Sequence, residues 1–180
     1  DSLFPASKPP RDNLPDRMRS VKSWAEISEQ RLAGNLKALE QAAGADVSVL
    51  PVVKANAYGH GAELCAWMLA RAGAKWLGVA DAVEGEAVRR ALSAAGMALE
   101  NQPQVLAMCG PLGEDDRTLE HRLTPVLWTR DQIERFASAA TRHSAAPAHV
   151  HLEIDSGMTR QGATVEALPS LLSLMKEKQL

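Results

Sequence analysis

The chain has 180 residues, 46% hydrophobic and 23% charged, with 20 lysines and arginines against 22 aspartates and glutamates. That is the composition of a soluble globular protein, and a formal net charge of -2 without a block of like charges argues against nucleic acid or anionic lipid as a partner held by charge alone. No run of about 18 apolar residues exists to span a membrane, and two cysteines, Cys65 and Cys109, allow at most one bridge. Both cysteines sit in apolar segments and read as buried free thiols of a reducing compartment, with the cytoplasm as the default location.

Residues 1–17 carry Pro5, Pro9, Pro10 and Pro15 among polar residues, which reads as an extended or disordered leader. The chain opens on Asp1, so it is expected to be a fragment or a processed product, unless Met18 is the natural start and the leader is extraneous. Trp24, Ala25 and Ile27 form a short strand-like run. Leu32, Leu36, Leu39 and Ala43 then recur at helical spacing, with Ser28 placed as an N-cap and Gly44 as the stop. A β-rich run from Val47 to Val53 follows, then Gly59 and Gly61, then a helix with Leu64, Trp67 and Met68 on one face that stops at Gly73. The alternation repeats. Trp76–Ala80 precedes a helix through Val88 and Leu92 to Gly96, and Val105–Met108 precedes a poorly marked helix around Asp116 to His121. Pro125–Trp128 leads into a helix opened by a Thr129/Gln132 capping box with Ile133, Phe136, Ala137 and Ala140 on its buried face. His149–Ile154, a Gly157 loop and a helix through Leu168, Leu171, Leu172 and Met175 complete the pattern.

Five strand-helix units imply an α/β fold with a parallel sheet, because parallel neighbours need a long connection that covers one face. A doubly wound sheet can stop at five strands, whereas a barrel needs eight strands and typically about 250 residues. If the fold is a barrel, these residues do not close it.

Lys54 follows directly on a buried-looking strand, at the carboxyl end where both folds place their active sites. A partly desolvated amine there has a lowered pKa and can condense with an aldehyde; alternatively Lys54 ends the strand by reaching water. Gly59 and Gly61 flank His60 just before a helix, an arrangement suited to a phosphate or to a turn that needs glycine dihedrals. Alternation along His151-Leu152-Glu153-Ile154-Asp155 puts His151, Glu153 and Asp155 on one face with Arg160 shortly after, which implies a salt-bridge network or a site. His149 and His151 are spaced to chelate a metal, but no further ligands recur on other strands, so no metal is assigned. Trp67, Met68, Phe136 and Leu172 read as core.

Together the segments VVKANAYGHG and HLEIDSGMTRQG resemble the two signature stretches of the amino-terminal domain of alanine racemases, pyridoxal-phosphate enzymes of the eight-stranded barrel type. A weaker likeness extends across residues 20–180, including the WAEIS start, Asn35 and the EGEAVRRAL helix. The resemblance implies a partial (β/α)8 barrel of about five units preceded by a short strand and helix. Residues 18–180 would be the first part of the cofactor-binding barrel, with the remaining barrel units and the β-domain lacking a counterpart. By the same resemblance Lys54 carries pyridoxal 5'-phosphate and moves the α-proton on one face of the substrate, and Tyr58 contacts the cofactor phosphate. Arg160 bonds the phenolic oxygen of the cofactor and helps receive the substrate carboxylate. The implied isomerase reaction interconverts L- and D-alanine, a source of D-alanine for cell walls, with a second base from the β-domain and a homodimer as the assembly. The 180 residues alone are expected to be inactive. A broad-specificity amino-acid racemase of the same fold and a non-catalytic pyridoxal-phosphate-binding barrel are the alternatives. Two residues depart from the pattern: Glu153 stands where many members have a lysine, often carbamylated, that presents an anion to the neighbouring arginine, and Ser28 replaces the usual aspartate.

Overall fold

The computed structural model describes residues 25–145 and 147–180. The leader and Trp24 therefore lie outside the described residues, and Ala25 to Ile27 are not part of a strand. Helix α1 (Glu29–Ala43) begins at Ser28, whose hydroxyl accepts the Arg31 N–H, and ends at Gly44, whose N–H returns to the Glu40 carbonyl. Only Leu36 of the expected stripe is buried, while Leu39 faces water, so α1 rests on the rest of the molecule along a narrow seam.

The remaining elements alternate as the sequence pattern predicts: α2 (Ala62–Arg71), β1 (Trp76–Val79), α3 (Ala82–Ala94), β2 (Gln104–Ala107), α4 (Asp115–Glu120), β3 (Thr124–Leu127), α5 (Arg130–Arg142), β4 (His151–Leu152) and α6 (Leu168–Lys178). The Thr129/Gln132 capping box is formed, and Ile133, Phe136, Ala137 and Ala140 are buried as expected. The sheet is parallel, in the order β1-β2-β3-β4.

Two expected strands are shorter than their composition suggests. Val47–Val53 is reduced to a single bridge between Val52 and Gly78, because Pro51 has no N–H to extend a ladder and contributes only its carbonyl to Gly78. The last strand pairs with β3 over two residues before Ile154 bridges to Ala163 within its own loop.

Register decides between the two architectures. Trp76 pairs with Gln104, Leu106 with Thr124, and Val126 with His151, so these residues share one face of the sheet. The opposite face carries Leu77, Val79, Val105, Ala107 and Leu127, which are buried in the two apolar clusters formed with the helices. The first face is concave. The rings of Trp76 and His151 lie 5.5 Å apart although their strands are three places apart in the sheet, which in a flat sheet is roughly 14 Å. A sheet coated by helices on one face and curled on the other is part of a (β/α)8 barrel, not a doubly wound layer.

Three core expectations are corrected. Trp67 is only half-buried, with the Arg71 guanidinium stacked 4.7 Å above its ring, because Cys65, Ala66, Met68 and Leu69 take the inward face of α2. Leu172 is 56% exposed, since Leu171, Leu174 and Met175 turn inward. Cys65 is buried but Cys109 only partly so, at the open end of β2.

At the amino end of the sheet, Arg89 of α3 is buried, with no carboxylate partner among the described residues. Its guanidinium donates to the carbonyls of His121 (3.1 Å), Pro103 (2.7 Å) and Arg122 (3.0 Å) and to the Gln102 side-chain oxygen (3.1 Å). Burial, and then the nearby Arg122 charge, lower its pKa to about 10, so it stays protonated at neutral pH. Arg89→Met retains most of the apolar stem but orphans these acceptors, and a loss of about 2–4 kcal/mol in stability is expected from urea unfolding. An unchanged midpoint would show that the acceptors find water instead.

Candidate active site

Val53 is buried in the core, and the chain beyond it enters an unusual turn. Ala55 (φ 50, ψ 48), Asn56 (φ 55, ψ 44), Ala57 (φ 51, ψ 46) and Tyr58 (φ 54) all adopt left-handed backbone. For L-residues this costs about 1–2 kcal/mol each, so the turn persists only if its surroundings hold it. Asn is the one residue type here that tolerates the region.

Several contacts supply that hold. The Ala57 N–H donates to the Val53 carbonyl (2.8 Å), and Gly59 and Gly61 donate to the Asn56 carbonyl (3.0 and 2.9 Å). Asn56 Oδ1 accepts the Ala62 N–H at 2.9 Å and so caps α2, and the His60 ring nitrogen Nδ1 lies 2.8 Å from the Ala57 carbonyl, where it must carry the proton to bond. From α3, Glu84 Oε1 accepts the Ala55 N–H at 2.7 Å. The backbone N–H groups of Gly59, His60 and Gly61 are taken by carbonyls of the turn itself, so the two glycines serve the turn rather than a phosphate. Their positive φ values, 89 and 93, state the same requirement.

Lys54 opens this turn, half-buried, and Tyr58 near its end is 62% exposed. Among the described residues neither the Lys54 amine nor the Tyr58 hydroxyl has a hydrogen-bond or ion-pair partner. The second segment follows β4. Asp155 Oδ1 accepts the N–H groups of Thr159 (3.0 Å) and Gly157 (2.9 Å), which hold its carboxyl below the usual range. The loop then folds back on itself: Ala163 donates to the Glu153 carbonyl and Asp155 to that of Ala163. Gly162, at φ +114, passes so close that a Cβ would stand 2.5 Å from the Asp155 nitrogen.

Arg160 projects from this loop, exposed and without a side-chain partner among the described residues. Glu153 does not reach it. The Glu153 carboxylate is bonded instead by Gln161 Nε2, which also donates to the Met108 carbonyl at the end of β2 (3.0 Å). The three titratable groups expected on one face thus have separate engagements, His151 against Trp76, Glu153 with Gln161 and Asp155 with its own loop, and form no salt-bridge network among the described residues.

Lys54 and Tyr58 therefore share one turn, and Arg160 stands on a different loop at the same carboxyl edge of the sheet. Sequence reasoning missed Glu84, Asn56 and Gln161. Asp81-x-x-Glu84 is the pattern of a capping box and marked Glu84 as a group with work at a helix start. Nothing in the sequence showed that its second oxygen leaves the helix.

A curved parallel sheet, coated by helices on its outer face and carrying a lysine at its carboxyl edge, defines a segment of a barrel of the kind that builds enzymes. Residues 27–180 match the family model described as alanine racemase, N-terminal domain, and the chain belongs to that family. It is 37% identical over 141 residues to the alanine racemase of Beutenbergia cavernae, covering 78% of this chain and 35% of that protein. The solved alanine racemase of Streptomyces coelicolor A3(2) superposes with a TM-score of 0.71 at 32% identity, over 84% of this chain and 38% of the other. That of Bartonella henselae, solved with covalently bound pyridoxal phosphate, has a TM-score of 0.70 at 24% identity over 84% and 41%, a likeness of fold. The chain spans about a third of the length of the curated relatives it matches, 36% and 35% in the first two. No helix among the described residues is long and apolar enough to cross a membrane.

Two outcomes test the loop geometry. Gly162→Ala meets backbone rather than a movable side chain, so a loss of about 1–3 kcal/mol is expected, together with faster amide exchange at Asp155 and Ala163. The Asp155 carboxylate is stabilised in the fold, so its contribution is complete above the unfolded pKa near 3.9 and is lost as pH falls through the lower folded value. The amide resonances of Gly157 and Thr159 should shift below about pH 4 and hold steady above it. Flat resonances down to pH 2 would remove the carboxylate from the account.

Proposed function

We propose that these residues form the cofactor-carrying part of a pyridoxal-phosphate-dependent racemase that interconverts L- and D-alanine. The observation that carries the reading is the half-buried Lys54 amine, without a partner among the described residues, at the head of a strained turn on the carboxyl edge of the sheet. The donor set suits the cofactor: an amine for its aldehyde, the exposed Tyr58 hydroxyl for its phosphate, and the exposed Arg160 guanidinium for its phenolic oxygen. When bound, pyridoxal phosphate supplies the electron withdrawal that makes an amino acid's α-proton removable.

The chain's own groups then have distinct tasks. Lys54 Nζ takes the proton from one face of the substrate Cα and returns it to the same face in the reverse direction. Arg160 pairs with the substrate carboxylate and orients Cα toward Nζ. The Tyr58 hydroxyl anchors the far end of the cofactor by donating to a phosphate oxygen. The base for the opposite face lies outside these 180 residues, as do most groups that would surround the phosphate. In isolation the 180 residues are proposed to hold the cofactor weakly and to be inactive, and the complete protein to work as a homodimer.

Lys54→Ala in the full-length protein tests the assignment. Racemisation of alanine is expected to fall about a thousandfold or more, and borohydride reduction followed by peptide mapping should place the pyridoxyl label of the unsubstituted protein on Lys54. Retained racemisation in the variant, or a label on another residue, would overturn the reading.

A further inference from the structure

We propose that Glu84 is a positioning residue for Lys54. The proposal deepens the functional reading and rests on it for the importance of Lys54, but the geometry of the clamp stands by itself. A glutamate at the third position of a helix ordinarily reaches back to the N-cap amide or meets the positive end of the helix dipole. Asp81 does cap α3, its Oδ1 accepting the Glu84 N–H at 3.0 Å. The Glu84 carboxylate itself does something else. Oε2 accepts the Ala80 N–H at 2.9 Å, just past the end of β1, and Oε1 accepts the Ala55 N–H at 2.7 Å, the first amide after Lys54.

The carboxylate thus joins two strand ends that the sheet holds together by only one bridge, Val52 to Gly78. It also grips the turn at its first left-handed residue, where the chain leaves the strand direction. Both accepted groups are backbone amides, so the interaction depends on the carboxylate and on none of the side chains opposite it. An ionised carboxylate offers acceptors on both oxygens and makes the stronger class of hydrogen bond. Glu84 is half-buried: its bond to Ala80 is partly shielded from water, and its bond to Ala55 lies at the exposed start of the turn. The side chain therefore fixes where the Cα of Lys54 points without touching the reacting atoms.

Glutamine is the discriminating substitution. Glu84→Gln keeps size and one acceptor but turns an NH2 donor toward the second amide, so one of the two bonds is lost at nearly constant shape. In the full-length protein, Glu84→Gln and Glu84→Ala should each speed hydrogen exchange at the Ala55 and Ala57 amides roughly tenfold or more, while Ile133 in α5 and Leu106 in β2 keep their protection. In parallel, timed exposure to pyridoxal phosphate with borohydride trapping should show slower labelling of Lys54 in both variants, with Glu84→Asp, too short to span both amides, failing to rescue it. Unchanged exchange at Ala55 together with unchanged labelling would overturn the proposal. Protection lost evenly across α5, β2 and the turn would also overturn it, since Glu84 would then serve the scaffold at large. Failure of Lys54 to take the label in the unsubstituted full-length protein would count against the functional reading, whereas the exchange measurement would still decide the clamp.

Discussion

A strand in a parallel pair cannot be joined to its neighbour by a tight turn, so each strand here brings a helix with it, and that single constraint shapes the whole chain. The crossovers bury one face of the sheet under α2, α3, α5 and α6. Among the described residues the other face has no helices to lie against, and the contact between Trp76 and His151 shows it curling until strands three places apart meet side chain to side chain. Because all strands run the same way, their carboxyl ends gather along one edge. Lys54, Tyr58 and Arg160 stand on that edge although more than a hundred residues separate the first from the last.

The edge is held by unusually polar means. A left-handed run of four non-glycine residues has no intrinsic reason to exist, and its neighbours supply one: Asn56 caps α2, the His60 ring bonds back to Ala57, and the Glu84 carboxylate reaches across from α3. Strain of this kind is found where a backbone must place a group rather than simply connect two elements. The second loop is built differently, around the Asp155 carboxylate and a glycine where a Cβ would strike backbone. One loop rests on a side chain from α3, and the other on its own Asp155 and on the tie from Gln161 to the Met108 carbonyl, so changes in α3 should be felt at Lys54 more than at Arg160.

Much of this was legible in the residues themselves. Helix starts at Ser28 and Thr129 and the alternation of strand and helix follow from local chemistry that tertiary contacts did not override. The curl of the sheet was not legible, because period-two alternation assigns faces but not curvature. Val47 to Val53 looked like a full strand, and Pro51 limited it to one bridge. Leu172 fits a helical stripe by spacing, yet the inward direction of α6 is set by its neighbours, which leaves Leu171, Leu174 and Met175 inward and Leu172 out, while Trp67 only flanks the core that Cys65 and Ala66 enter. At the site, Lys54 and the glycines were visible as unusual residue types at a strand end. Their support was not, since a hydrogen bond from Glu84 to an amide 29 positions away leaves no periodic trace. The same holds for Gln161, which takes the carboxylate that the resemblance would have given to Arg160.

Arg89 lies at the other end of the sheet, tethering the segments that lead into β2 and β3 through their carbonyl oxygens. At Gln102 it holds a side-chain oxygen, and at His121, Pro103 and Arg122 main-chain oxygens. Sequence drift at those three positions is therefore tolerated as long as the path of the chain is kept. The molecule has, in effect, a floor that, Gln102 apart, is held by the path of its loops rather than by their wording, which leaves the opposite rim free to diversify without loosening the foundation beneath it.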